Sequence, residues 1–189
     1  MTKLILASSS PRRAALLAQL GVDYEVCPAD IDETILAGES PKDFALRVAT
    51  EKANRIAANF TGRIVLAADT IVVKDQQILG KPRDKVDAKR MWRQLSGQWH
   101  EVITAVIIKG RLTRSSLQIS KVQFKPISES MMDYYWLTGE PIDKAGGYAI
   151  QGEAAAWVIQ LCGSYSGIMG LPLYETINLL KDNEIKVFM

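Results

Sequence analysis

The sequence predicts an α/β protein built on a mixed sheet, and three observations carry the prediction. Apolar patterns of helical and strand period are interspersed from end to end of the 189 residues. Hydrophobic residues make up 48% and charged residues 23%, the balance of a globular chain rather than a disordered or fibrous one. The length suits one domain, and no internal repeat, low-complexity tract or linker divides it.

Lys3 to Ala7 reads as a short buried strand, because the apolar run is brief and contains Leu and Ile. Ser8-Ser9-Ser10 supplies helix-capping hydroxyls and Pro11 suits a first turn. Ala14, Leu16, Leu17 and Leu20 then carry a helix that ends near Gly21. Tyr24 to Cys27 is a second strand, and the polar stretch Asp30 to Ser40 leads into a helix from about Pro41 to Phe60. Arg63 to Val73 is the strongest strand signal, followed by a turn at Lys74 to Gln77 and a short return strand, Ile78-Leu79. Asp84 to Leu95 reads as a helix. Val102 to Ile108 and Ser115 to Phe124 read as two long strands joined near Gly110. Ser128 caps a helix to about Leu137, Gly139 to Gly152 is a glycine-rich loop, Trp157 to Leu161 a strand and Leu171 to Leu180 a last helix. The tryptophans and Met131-Met132 are expected in the core.

Charge and cysteine content narrow the chemistry. Lys and Arg number 23 against 21 Asp and Glu, a net charge of +2, which argues against coating nucleic acid or an anionic membrane. With two distant cysteines, Cys27 and Cys162, and the single His100, the usual zinc site cannot be assembled. That cysteine usage suits a reducing cytoplasm. The N-terminal apolar run is too short for a secretory signal, and no run approaches the roughly 18 apolar residues of a membrane span. A metal, if used, is a hard cation held by carboxylates and phosphate.

Four constellations carry possible chemistry. Ser8-Ser9-Ser10-Pro11-Arg12-Arg13 stands where a strand hands over to a helix. Free N–H groups, hydroxyls and two guanidinium forks there suit phosphate oxygens, although a capped helix with solvated arginines explains the same string. Lys52 lies on the apolar face marked by Val48 and Ile56, where it either snorkels to water or holds an anion in a cleft. Asp69 sits between Ala67-Ala68 and Ile71-Val72. A carboxylate held there is paired, protonated or bound to metal, or else caps a turn. Asp32-Glu33 is an acidic pair in a loop, where a solvated surface is the stronger reading by itself, and Lys81 stands on the tight turn Gly80-Lys81-Pro82, which an ordinary surface turn also explains. Gln151, in Lys144 to Gly152, offers the acceptor and donor that match the imide edge of uracil or thymine, a match of chemistry only, since a glutamine between Ile150 and Gly152 is more often structural. His100 is read as structural or as a support behind the residues that touch a ligand, since no G-x-S-x-G nucleophile elbow is present; Gly163 to Gly167 comes near but has Tyr165 in the middle.

In chain order these strings resemble the Maf family of nucleoside triphosphate pyrophosphatases. The resemblance runs from Leu6 to Arg13 through Glu51-Lys52-Ala53, Ala68-Asp69-Thr70, Gly80 to Arg83, Leu95-Ser96-Gly97, His100-Glu101-Val102, Lys144 to Tyr148 and Gly163 to Gly167, and ends at Gly170 to Leu173. Each string is weak alone, but the ordered series is specific. One departure is Ser9, where many members of the resembled subgroup carry glycine.

The resemblance implies one domain over residues 1–189, a two-lobed mixed sheet with flanking helices like the inosine-triphosphate pyrophosphatases, and an active cleft between the lobes. It implies hydrolysis to a monophosphate and pyrophosphate with a divalent cation, Mg²⁺ or Mn²⁺, in a cytoplasmic homodimer that needs neither membrane nor nucleic acid. Carried over residue by residue, Asp69 accepts the proton from water and, with Glu33, holds metal. Ser8, Arg12, Arg13, Lys52 and Lys81 face the phosphates. Arg12, Thr70 and Gln151 match the dTTP/UTP-specific subgroup rather than the 7-methyl-GTP one. The family name is also associated with septum formation, so a non-catalytic nucleotide sensor linked to cell division is the alternative.

Overall fold

A computed structural model describes residues 4–187 of the chain. Strand β1 (Leu4–Leu6) is followed by α1 (Pro11–Ala18), β2 (Tyr24–Val26), α2 (Pro41–Ala57), β3 (Val65–Lys74), β4 (Gln77–Leu79) and α3 (Lys85–Leu95). Then come β5 (Trp99–Lys109), β6 (Arg114–Phe124), α4 (Glu129–Leu137), two 3₁₀ turns at Ala145–Gly147 and Glu153–Trp157, β7 (Val158–Cys162), α5 (Tyr165–Met169) and α6 (Leu173–Asp182). The expected start of the first strand at Lys3 lies outside the described residues. Among the described residues five helices begin on the hydroxyl or carboxylate cap that local chemistry favours: Ser10, Ser40, Asp84, Ser128 and Ser164 each accept the backbone N–H three residues on.

The seven strands form one mixed sheet in the order β2-β1-β3-β5-β6-β7, with β4 also on β3. Strand β1 is parallel to β2 and β3, while every later pairing is antiparallel. The turn from β3 to β4 is made by Asp75 and Gln76, both at positive φ (49° and 63°), the geometry a two-residue hairpin needs. One face of the sheet packs on α2 through Ala45, Val48, Ala49 and Ala53 against Ile5, Val65, Ala67 and Ala105. The other face packs on α1 and α6 through Leu16, Leu17, Leu179 and Leu180. A third cluster, around Trp92, Phe124, Tyr135 and Trp157, joins α3, α4 and the glycine-rich loop.

Three expectations are corrected. Strand β5 begins at Trp99 rather than Val102, because Trp99 and His100 pair with Gln123 and Val122 of the long β6. Trp99, at the start of that strand, is 37% exposed and not core. Helix α5 falls in the Gly163 to Gly167 string, whose glycines mask it. Ser164 is its cap, accepting Gly167 N–H at 2.9 Å, and not a displaced nucleophile elbow.

His100 lies in the core, with ring centroids 4.8 Å from Phe124 and 5.5 Å from Tyr148, and Nε2 2.7 Å from Tyr148 Oη. Burial, reinforced by the Lys74 charge, pushes its pKa down to about 3. Between about pH 6.5 and that value the unfolded chain binds a proton that the native protein refuses. Stability therefore falls as pH drops through this window, by up to about 1.4 kcal/mol per unit. Urea midpoints at pH 7 and pH 5 are expected to show the slope, and His100→Gln to flatten it; equal slopes for the two proteins would exclude His100 as the source.

Candidate active site

The site begins as a gap in the sheet. Strand β1 pairs with β3 only at Val65 and Leu66, and β4 pairs with β3 only from Val72 to Lys74. Among the described residues no strand covers the intervening edge at Ala67 to Ile71. Asp69 and Thr70 stand at its centre, paired on the far side with Ala105 and Thr104. The chain leaves β1 at this gap, Ala7 N–H making its last sheet contact with Leu66 O at 2.8 Å, and runs through the serines into α1. This is the place outside the carboxyl end of a parallel strand where α/β sheets offer a crevice. The crevice has a volume of about 700 Å³, and the nine residues given site roles by the resemblance line it: Ser8, Arg12, Arg13, Glu33, Lys52, Asp69, Thr70, Lys81 and Gln151. Asp32, the other half of the acidic pair, does not, and its Oδ1 accepts from the Thr34 backbone N–H and hydroxyl.

The two sides of β3 organise two clusters, because successive side chains of a strand point to opposite faces. On the α2 side, Asp69 is 7% exposed and Lys52 8%, the lysine continuing the buried stripe Ala45, Val48, Ala49, Ala53 and Ile56. Its ammonium lies 2.8 Å from Asp69 Oδ1 and 2.8 Å from Glu33 Oε1, so one cation is shared by two carboxylates. Lys52 therefore does not snorkel to water: its ammonium is held inside the crevice by two carboxylates of the protein itself. Burial pushes the Glu33 carboxyl up, but Lys52, with help from Lys81 and Arg13, holds it below its ordinary value. Glu33 arrives on an irregular loop that Arg47 ties to α2. The guanidinium donates to Glu39 at 2.6 Å and 2.9 Å and to Thr34 O at 2.9 Å.

On the other face, Arg13 is held three ways: Nε to Gly170 O at 2.8 Å, Nη1 to Ser8 Oγ at 3.3 Å and Nη2 to Thr70 Oγ1 at 3.1 Å. Thr70 Oγ1 lies 2.9 Å from Thr104 Oγ1, which donates its own proton to Gly167 O at 2.7 Å. Since Thr104 has a single proton, Thr70 must donate to Thr104, and the relay has one direction, from Arg13 to Thr70 to Thr104 to Gly167. Burial lowers the Arg13 pKa; Asp69 opposes the shift, Arg12 adds to it and Glu33 opposes it. Burial lowers that of Arg12 as well.

Arg12, Lys81 and Gln151 make no side-chain hydrogen bond among the described residues and so present free donors to the crevice. Lys144, which the sequence places in the glycine-rich string without a role, also lines it, and its ammonium is lowered first by burial and then by the nearby charge of Arg12. The glycines of that loop have a packing reason. A Cβ on Gly146 would meet Val72 at 3.0 Å and one on Gly147 would meet Trp92 at 3.1 Å, and Gly146 N–H bonds Gly80 O at 2.9 Å beside Lys81.

Five cationic side chains against three carboxylates line the crevice, an excess that suits a polyanion. Asp69 Oδ2 and Glu33 Oε2 have no partner among the described residues and are free to take a proton or a cation. No group of three or more His, Cys, Asp or Glu that could hold a metal by itself is found among those residues. Two carboxylates fit a Mg²⁺-like ion that completes its shell with water and substrate phosphate, and do not fit an all-protein cage. Arg47, Thr104 and Lys144 are functional candidates that sequence reasoning missed, because their partners lie far along the chain or their type is common on surfaces.

Residues 3–183 match the family model described as Maf-like protein. A protein of Anaeromyxobacter dehalogenans named dTTP/UTP pyrophosphatase is 50% identical over 95% of this chain and 93% of its own length. Proteins of the same name from Pseudoalteromonas atlantica and Vibrio cholerae are 51% and 48% identical, over 94% and 95% of this chain and 95% and 97% of their own. A solved HAM1 protein from Coxiella burnetii shares the fold, with a TM-score of 0.51 at 14% identity over 96% of this chain and all of its own. No helix among the described residues is long and apolar enough to cross a membrane.

Proposed function

The chain belongs to the Maf-like protein family, and we propose that it hydrolyses dTTP and UTP to the monophosphate and pyrophosphate. The observation that carries the proposal is the buried Asp69, paired through Lys52 with Glu33, at the floor of a crevice with a cationic rim. The names of relatives at about half identity support the substrate.

In this mechanism Arg12, Lys81 and Lys52 face the triphosphate, and Arg13 adds the N–H groups its protein contacts leave over. Water bonds to the α-phosphorus while the bond from that phosphorus to the bridging oxygen breaks. The electron pair leaves with pyrophosphate, and the water proton passes to Asp69 Oδ2. Lys52 keeps the Asp69 side chain in one orientation, and the cations stabilise charge on the equatorial oxygens. A divalent cation, when bound, neutralises phosphate charge, and Glu33 and Asp69 would hold it. Gln151 offers its amide to the imide edge of the pyrimidine. Thr70, whose hydroxyl proton is committed to Thr104, shapes selection through Arg13. The two walls of the crevice act as the two lobes of one chain, and the chain works as a cytoplasmic homodimer; light scattering at micromolar concentration tests the dimer.

Incubation with a panel of nucleoside triphosphates and Mg²⁺ or Mn²⁺, with product identification, tests the proposal. UMP plus pyrophosphate supports it, UDP plus phosphate contradicts it, and intact nucleotide favours a sensor. Within the enzyme reading, Thr104→Val removes the hydroxyl that both Thr70 and Gly167 use. The expected result is kcat/KM lowered about three- to thirtyfold and a stability loss of about 1–3 kcal/mol, with Thr104→Ser close to the parent protein. Unchanged kinetics in the valine protein would show that Arg13 needs no relay.

A further inference from the structure

Gln151 stands in a short segment whose two ends are held by the same pair of side chains. Tyr135, on α4, is fully buried between Trp92 and Trp157, at ring-centroid distances of 5.3 Å and 4.6 Å. Its hydroxyl accepts the Ala149 backbone N–H at 3.1 Å, two residues before Gln151. The same hydroxyl donates to Glu140 Oε1 at 2.5 Å. The other oxygen of Glu140 accepts the Glu153 backbone N–H at 3.1 Å, two residues after Gln151. A Cβ on Gly152 would overlap the Glu140 carboxylate, so the carboxylate rests directly on the backbone next to Gln151. The segment is thus pinned at Ala149 and Glu153, while the Gln151 side chain makes no hydrogen bond among the described residues and lines the crevice.

We propose that Tyr135 and Glu140 are positioning residues for base selection, a clamp that holds Ala149 to Glu153 so that the Gln151 amide meets a pyrimidine imide edge in fixed register. The inference rests on Gln151 reading the base. The amide can discriminate uracil from cytosine only if its acceptor and donor stay aligned with the ring N–H and the carbonyl; a loosened segment lets it adapt to either edge. Tyr135 holds its proton firmly, because burial, with the Glu140 charge, raises its pKa. The order of donors through the clamp is therefore fixed, from Ala149 N–H to the phenol to the carboxylate, with Glu153 N–H closing on the second oxygen.

The test is the ratio of kcat/KM for UTP to that for CTP, measured for the parent, Tyr135→Phe, Glu140→Gln, Gln151→Ala and the double variant Tyr135→Phe/Gln151→Ala. Tyr135→Phe keeps the ring contacts with both tryptophans and removes only the hydroxyl, and Glu140→Gln is a milder change at a half-buried side chain. The expected result is a ratio lowered about three- to tenfold in either single clamp variant. The double variant is expected to match Gln151→Ala alone, since the clamp acts only through that amide. Ratios unchanged in both clamp variants while Gln151→Ala lowers the ratio would overturn the clamp and leave the base reading standing. Equal losses for both nucleotides would likewise overturn it, as the mark of a merely structural role. An unchanged ratio in Gln151→Ala would remove the base reading, and the clamp with it.

Discussion

Asp69→Asn is expected to lower UTP turnover by about 10²–10⁴-fold, the usual loss when a positioned general base is removed. Asparagine is nearly isosteric and its amide oxygen still accepts from Lys52, so the substitution removes the basic oxygen and little else. Glu33 remains 2.8 Å from the ammonium to balance its charge. The fold is therefore expected to survive, with a circular-dichroism melt within a few degrees of the parent. Turnover near the parent value would remove Asp69 from the role of base.

Lys52→Met has a larger effect on the protein itself. The lysine side chain is 10% exposed and that of Asp69 9%, so the methionine fits the buried stripe but leaves Asp69 without its counter-charge. Removing one partner of a buried pair typically costs about 3–5 kcal/mol. A value near the lower end is expected here, because Glu33, the other partner, is 41% exposed and regains water. Turnover is expected to fall at least about 100-fold, since in the proposed mechanism the same ammonium orients Asp69 and faces phosphate. Lys52→Met/Asp69→Asn is expected to recover most of the lost stability and none of the activity. Urea unfolding of the two variants and the double decides the matter. Additive losses would mean that the two side chains do not act as a pair.

What could be read from the chain follows the range of the contacts. Lys52 was visible because a charge on a helical apolar stripe is locally anomalous, and Asp69 because a carboxylate interrupts two apolar strand runs. Ser8, Arg12 and Arg13 were visible because strand, cap and basic pair are contiguous. Thr104 carries no such mark: a threonine in a β-branched strand is ordinary, and its role depends on Gly167, 63 residues away. Arg13 is anchored to Gly170 across 157 residues, which no local pattern encodes. Glu140 looks like a surface residue until the backbone of Glu153 closes on it. Helix α5 went unseen because five residues with an internal glycine give too little periodicity to register. At Ser8 to Arg13 the helix cap is present, and what favours a phosphate site beside it is legible only from what stands opposite, the carboxylates and cations that β3, α2 and the Lys81 turn bring across the gap in the sheet.

The residues gather charge around the buried Asp69 carboxylate, and the proposed mechanism stands on which phosphorus is attacked. Hydrolysis of UTP in heavy-oxygen water, followed by mass spectrometry of the separated products, reads that choice directly. Label in UMP, with unlabelled pyrophosphate, is the predicted result. Label in pyrophosphate would place the attack on the β-phosphorus and contradict the account.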